Sequence, residues 1–156
     1  MKIVLTSGGG GHFYPMIAVA ESLNEIALRE KIISYELIYI SDSPYDQRAL
    51  DDANIKFYEL QTGKNRIYFS LQNIFDAIKT FFAIIKAIFI LYNIFPDVVF
   101  SKGGYPVVPV VIAARFLGIP VIIHESDSYP GRANKMASRW AKKIAISYKE
   151  AVEYLP

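Results

Sequence analysis

Met1-Lys2-Ile3-Val4-Leu5-Thr6-Ser7-Gly8-Gly9-Gly10-Gly11-His12-Phe13-Tyr14-Pro15 is the stretch whose reading decides the fold. Ile3–Leu5 is short and wholly apolar, which predicts a strand buried on both faces. Four glycines then break the strand, and a helical pattern runs from about Pro15 to Arg29. Proline suits the first helical turn, where its missing N–H costs nothing. Strand, glycine turn and helix form the opening unit of a parallel α/β sheet.

The same alternation continues outward from this unit. Glu36–Ile40, Lys56–Leu60, Asp97–Phe100, Val121–Ile123 and Lys143–Ser147 read as strands. Pro44–Ala53, Ile74–Phe95, Val107–Leu117 (closed by Gly118) and Arg132–Trp140 read as helices. The expected fold class is α/β, a Rossmann-like doubly wound parallel sheet with helices on both faces, as one domain over residues 1–156. One such unit is complete by Tyr148–Pro156, and nothing resembles a second nucleotide-binding unit. The chain therefore reads as half of a larger protein or one subunit of a pair.

The 156 residues contain no cysteine, which removes disulfides, thiolate nucleophiles and cysteine-based zinc sites together. Lys+Arg 17 against Asp+Glu 15 is nearly balanced, so bulk charge does not point to nucleic acid. Hydrophobic content of 53% with mean hydropathy +0.24 is high for a water-soluble domain. Some apolar surface is therefore expected to face something other than water. The N-terminal apolar stretch is too short for a signal-peptide core and lacks a small-residue cleavage site.

Gly8, Gly9, Gly10 and Gly11 let the backbone approach a ligand closely, and the free N–H groups of the next helix favour a phosphate or other anion there. The P-loop does not fit, because His12-Phe13 stands where Gly-Lys-Ser/Thr is needed. A dinucleotide fingerprint also fits poorly, since the glycine required three after Gly10 is Phe13. Asp42, near the end of the second strand, imitates a ribose-binding acid and keeps that third reading open. His12 sits beside the presumed anion site. A helix N-terminus disfavours imidazolium, so His12 is either a neutral proton acceptor or a structural residue.

Ser101-Lys102-Gly103-Gly104-Tyr105 forms a second glycine turn at the same end of the sheet. Ligands of open α/β sheets bind at the carboxyl ends of strands, so Gly103, Gly104 and Tyr105 join the candidate site. Lys102 is either a point charge for phosphate or a solvated surface lysine. The strand Val121–Ile123 runs into His124-Glu125-Ser126-Asp127, followed by Gly131 and Asn134. Glu125 is read as a ligand contact, His124 as loop support, and Asp127 as a partner for sugar hydroxyls. No Asp-x-Asp sequence occurs, so neither a metal nor a cofactor is expected.

Ile74–Phe95 carries almost no charge, and its apolar arc is wider than one sheet face can cover. Phe81, Phe82, Ile85, Phe89 and Tyr92 are the surplus. Lys79 and Lys86 interrupt the stretch, which argues against a membrane-crossing helix of about 20 residues. The favoured reading is an interfacial patch, with Lys64, Arg66, Lys79 and Lys86 near anionic lipid. The competing reading is a fully buried core helix, or one covered by a partner domain.

Taken in order, the first loop with Pro15 and Ala18-Val19-Ala20, the Gly103-Gly104-Tyr105 loop, and Gly118-Ile119-Pro120 leading to His124-Glu125 and Asn134-Lys135 resemble the MurG family. The likeness runs from Met1 to about Tyr148. Departures fall at Ser7, Gly9, Val107-Val108, Ser126 and Asp127. The resemblance implies the N-terminal half of a GT-B glycosyltransferase. In such an enzyme N-acetylglucosamine passes from UDP-N-acetylglucosamine to an undecaprenyl-linked acceptor, lipid I, in peptidoglycan synthesis. It also implies acceptor diphosphate on Gly8–Gly11 and the second loop, contacts from Glu125, Asp127 and Asn134, and His12 as catalytic base. The donor site is implied to lie on a second domain, so the isolated chain should be inactive. The implied place is peripheral, on the cytoplasmic face of the plasma membrane. A free-standing membrane-binding subunit of a split lipid-linked-sugar transferase is the alternative.

Overall fold

The computed structural model of the chain describes residues 1–63 and 72–156. Six parallel strands form one sheet in the order β3-β2-β1-β4-β5-β6. They are β1 (Lys2–Ser7), β2 (Glu36–Ser41), β3 (Ile55–Glu59), β4 (Val98–Gly103), β5 (Val121–Glu125) and β6 (Lys143–Ile146). The helices are α1 (Phe13–Arg29), α2 (Gln47–Asp52), α3 (Gln72–Ile94), α4 (Val107–Phe116) and α5 (Arg132–Ser138).

Side chains of a strand alternate between faces, and the two faces here carry separate cores. Ile3, Leu5, Leu37 and Tyr39 pack with Phe13, Met16, Ile17 and Ala20 of α1 and Leu50 of α2. Val4, Ile38, Ile40, Val99 and Ile123 pack with Ala83, Ala87 and Leu91 of α3, Val110 and Val111 of α4, and Ala137 of α5. Both faces are covered, which is why the central strands read as continuous apolar runs. The Rossmann-like sheet expected from the sequence is the one observed.

The differences lie at boundaries. α2 starts after Asp46, whose side chain accepts the Ala49 N–H at 3.1 Å as an N-cap, so Pro44 and Tyr45 stay outside the helix. β4 continues past Phe100 through Ser101 and Lys102 to Gly103, because its pairing with β1 shifts register between Thr6 and Ser7 and resumes as Ser7 against Gly103. A 3-10 turn at Lys149–Tyr154 closes the described chain and was not foreseen.

β1 is central, with β2 on one side and β4 on the other. This is the place where strand order reverses, and the loops after β1 and β4 leave it side by side. Such a switch point is the usual ligand crevice of an open α/β sheet.

Candidate functional site

The two glycine loops touch through their backbones. The Gly8 N–H donates to the Gly103 carbonyl at 2.7 Å. Gly104 has φ +93°, and a Cβ there would stand 2.8 Å from the Gly8 nitrogen. Gly103 has φ +100°, and a Cβ there would meet the Asn134 amide at 3.0 Å. A Cβ on Gly9 would run into the Tyr45 ring. Gly8, Gly9, Gly103 and Gly104 are thus small because other protein groups occupy the space. Gly10 differs: its φ is +62°, but a Cβ would meet nothing within 4 Å, and the same space is open at Gly11. Gly10 and Gly11 are exposed and present bare backbone to solvent.

A 3-10 turn, Gly10–His12, leads into α1, with His12 at the N-cap. The His12 ring lies against the second loop: a Cβ on Gly104 would be 3.5 Å from its Cδ2. Among the described residues, its Nδ1 is buried without a hydrogen-bond partner. Burial, and next the Lys102 ammonium, push the His12 imidazole below its ordinary range, while Asp127, Glu125 and the Lys102 backbone pull the other way. The neutral imidazole foreseen from a helix terminus thus has burial as its main cause.

Lys102 is fully buried, which overturns the reading of it as a solvated surface lysine. Its Nζ donates to Ser126 Oγ at 2.9 Å. β5 extends through His124 to Glu125, and the Glu125 carboxylate is buried. Oε1 accepts the Asp127 N–H at 2.9 Å; Oε2 accepts the Gly131 N–H at 3.2 Å and Asn134 Nδ2 at 2.9 Å. Each oxygen therefore holds an internal donor, and Glu125 organises the loop that carries the exposed Asp127. Asn134 also donates to the His124 carbonyl at 3.3 Å, while its Oδ1 is buried and unpartnered among the described residues. His124 Nε2 lies 3.2 Å from Ser147 Oγ, which ties the strand end to the exit of β6.

Tyr105 Oη donates to Asp42 Oδ2 at 2.6 Å, and Tyr45 Oη to Oδ1 at 2.5 Å. Burial, reinforced by the Asp42 carboxylate, pushes the Tyr105 phenol up to about 12. Both Asp42 oxygens thus already accept a phenol, and a ribose hydroxyl would have to share them. Tyr45 escaped the sequence reading, as nothing in the spacing pairs residues 45 and 105 through residue 42.

α3 carries the apolar surplus outward. Phe82 and Phe89 are 63% and 64% exposed; Phe81, Ile85 and Tyr92 are exposed with them. Phe75, Ile78, Phe82, Ile85, Phe89 and Tyr92 recur three and four residues apart, so they form one stripe. The opposite side, at Ala83, Ala87, Leu91 and Ile94, enters the core. The fully buried reading of this helix is therefore wrong. By length and composition alone Phe75–Ile94, 20 residues of hydropathy 1.7, could cross a membrane, but Lys79 and Lys86 interrupt it and its Ala83, Ala87 and Leu91 side packs into the core. Lys86 Nζ reaches the Glu59 carbonyl at 3.1 Å. Lys64 and Arg66 lie outside the described residues.

A cavity of about 570 Å³ opens at the other end of the sheet, lined by Lys2, Tyr35, Lys56 and Phe95. None of the candidate site residues borders it.

The family model of the glycosyltransferase family 28 N-terminal domain matches residues 3–146. A UDP-N-acetylglucosamine--N-acetylmuramyl-(pentapeptide) pyrophosphoryl-undecaprenol N-acetylglucosamine transferase of Lachnospira eligens is 45% identical over 157 residues, covering 99% of this chain and 42% of that protein. The crystal structure of Acinetobacter baumannii MurG superposes with a TM-score of 0.75 at 29% identity, over 96% of this chain and 43% of that one. A UDP-GlcNAc 2-epimerase of Methanocaldococcus jannaschii, at TM-score 0.64 and 16% identity, shares the fold. The chain thus spans about two fifths of the length of the relatives it matches.

Proposed function

The chain belongs to the glycosyltransferase family 28 N-terminal domains, and on that footing we propose that it is the acceptor- and membrane-binding half of an inverting N-acetylglucosaminyltransferase. The acceptor is an undecaprenyl-diphosphate-linked N-acetylmuramoyl-pentapeptide, and the donor is UDP-N-acetylglucosamine. The observation that carries this reading is the seam between the two glycine loops at the switch point, with Gly10 and Gly11 bare and His12 beside them. An acceptor diphosphate fits bare backbone at a helix N-terminus.

In this reading the acceptor's 4-hydroxyl attacks the anomeric carbon of the donor, the bond to UDP breaks, and the configuration inverts. His12 takes the hydroxyl proton, a task that requires a neutral imidazole. Glu125 works at one remove, by holding the Asp127 and Gly131 amides and Asn134. The donor site belongs to a second domain, so these 156 residues alone have little or no transferase activity. The α3 stripe lies in the headgroup region of the cytoplasmic leaflet, with Lys79 and Lys86 toward anionic lipid.

The test is binding of a short-chain lipid I analogue to this chain. Gly10→Ala and His12→Ala should both weaken it, the first because alanine resists the positive φ that shapes the loop. Unchanged affinity in Gly10→Ala would show that the first loop is not the diphosphate cradle.

A further inference from the structure

The loop between β2 and α2 is bonded to both glycine loops. Ser41 Oγ donates to the Ser7 carbonyl at 2.7 Å, which holds the end of β1 just before the glycines. Asp42 comes next, and its carboxylate accepts two phenols, Tyr45 Oη at 2.5 Å and Tyr105 Oη at 2.6 Å. Tyr45 belongs to the same loop as Asp42, and its ring fills the space where a Cβ on Gly9 would stand. That ring also meets Phe13 of α1, with centroids 5.8 Å apart. Tyr105 directly follows Gly104 in the second glycine loop. The Tyr45 backbone sits at φ +56°, which a bulky residue keeps only where its surroundings enforce it. Here the packed ring and the phenol bond to Asp42 do so.

Gly10 and Gly11 are open on the side where a Cβ would stand, so their shape depends on what holds the residues around them. Gly9 is held by the Tyr45 ring, and Gly8 by its bond to the Gly103 carbonyl. We propose that Asp42 is a positioning residue of the acceptor site: with Tyr45 and Tyr105 it clamps the two glycine loops at one spacing, and so presents the Gly10–Gly11 backbone ready-shaped to a diphosphate. A loop already in its bound shape loses less affinity to ordering. That the ligand is a diphosphate rests on the function proposed above. The tie between the loops does not.

The experiment uses Tyr45→Phe, Tyr105→Phe and the double variant, which keep both rings and remove the bonds to Asp42. Either single variant covers the case in which the other does not fold. The backbone amide signals of Gly10 and Gly11, followed by NMR in the chain without ligand, should move in Tyr105→Phe. Titration with inorganic pyrophosphate and with a short-chain lipid I analogue should show affinity about tenfold weaker in either single variant, as when about a tenth of the chains hold the binding spacing. One lost bond already opens a clamp, so the double variant should bind about as well as the singles. Losses that add in the double variant mark two independent contacts and overturn the proposal. So do glycine signals that stay in place in a folded Tyr105→Phe, or variants that bind as tightly as the unmodified chain. A chain that binds neither probe, while its glycine signals still move, refutes the diphosphate reading and leaves the clamp standing.

Discussion

A Cβ on Gly104 would stand 2.8 Å from both the backbone nitrogen and the Cα of Gly8. Two loops separated by about a hundred residues of sequence are thus in backbone contact, and the contact has room for no side chain. Gly104 also sits at φ +93°. Gly104→Ala should therefore destabilise the chain by about 2–3 kcal/mol, from steric shift and backbone strain together. Gly11→Ala, in open space, should stay within about 1 kcal/mol of the parent. Urea denaturation of the two variants checks the contrast, and equal midpoints would contradict it.

Glu125 is the hub of its loop, holding two backbone amides and the Asn134 side chain. Glu125→Ala should cost about 3 kcal/mol, since it strands buried donors. Asp127→Ala, at an exposed position, should cost less than about 0.5 kcal/mol. Thermal unfolding distinguishes the two, and a mild Glu125→Ala would mean that water replaces the carboxylate.

His12 and His124 are both held below their ordinary range, first by burial and then by Lys102. The folded state therefore binds fewer protons than the unfolded state below the unfolded histidine value of about 6.5. Stability should fall as pH drops from about 6.5 through the lower folded values. Replacing both histidines by glutamine should flatten this slope. An unchanged difference in melting temperature between pH 7 and pH 5.5 would assign the acid sensitivity elsewhere.

Phe82 and Phe89 face solvent, whereas Ala87 and Leu91 on the same helix are fully buried. Phe82→Asp and Phe89→Asp should lower sedimentation with anionic liposomes and leave stability nearly unchanged. Leu91→Ala should cost about 2–5 kcal/mol of stability. Liposome binding that survives both aspartates would place any membrane contact on another face.

Much of this architecture was open to reading from the sequence. Apolar runs such as Val4-Leu5 and Ile38-Tyr39-Ile40 are long enough to mark strands covered on both faces, and glycines mark where they end. The candidate site was legible only where one residue type implies a geometry. Gly103 and Gly104 announced a tight turn, but not that the turn would press on Gly8. The burial of Lys102 was not legible, because burial of a lysine depends on what folds over it, here β5 and its loop. The Tyr45–Asp42–Tyr105 bridge was invisible for the same reason: hydrogen bonds between distant positions leave no period. The α3 stripe was legible, since helical spacing alone separates its exposed phenylalanines from Ala83, Ala87 and Leu91.

β1 is the first strand made, yet its neighbour across the seam is the fourth. Gly8 and His12 therefore leave the ribosome long before Gly103 exists, and the seam between the two loops is absent from every shorter nascent chain. Contacts this distant in sequence are slow to form, because a long loop must close before they return any stability. A ligand that bridges both loops recognises only chains in which that closure has happened. Its binding would draw the population toward the finished sheet, so such a ligand would also assist the folding of this domain.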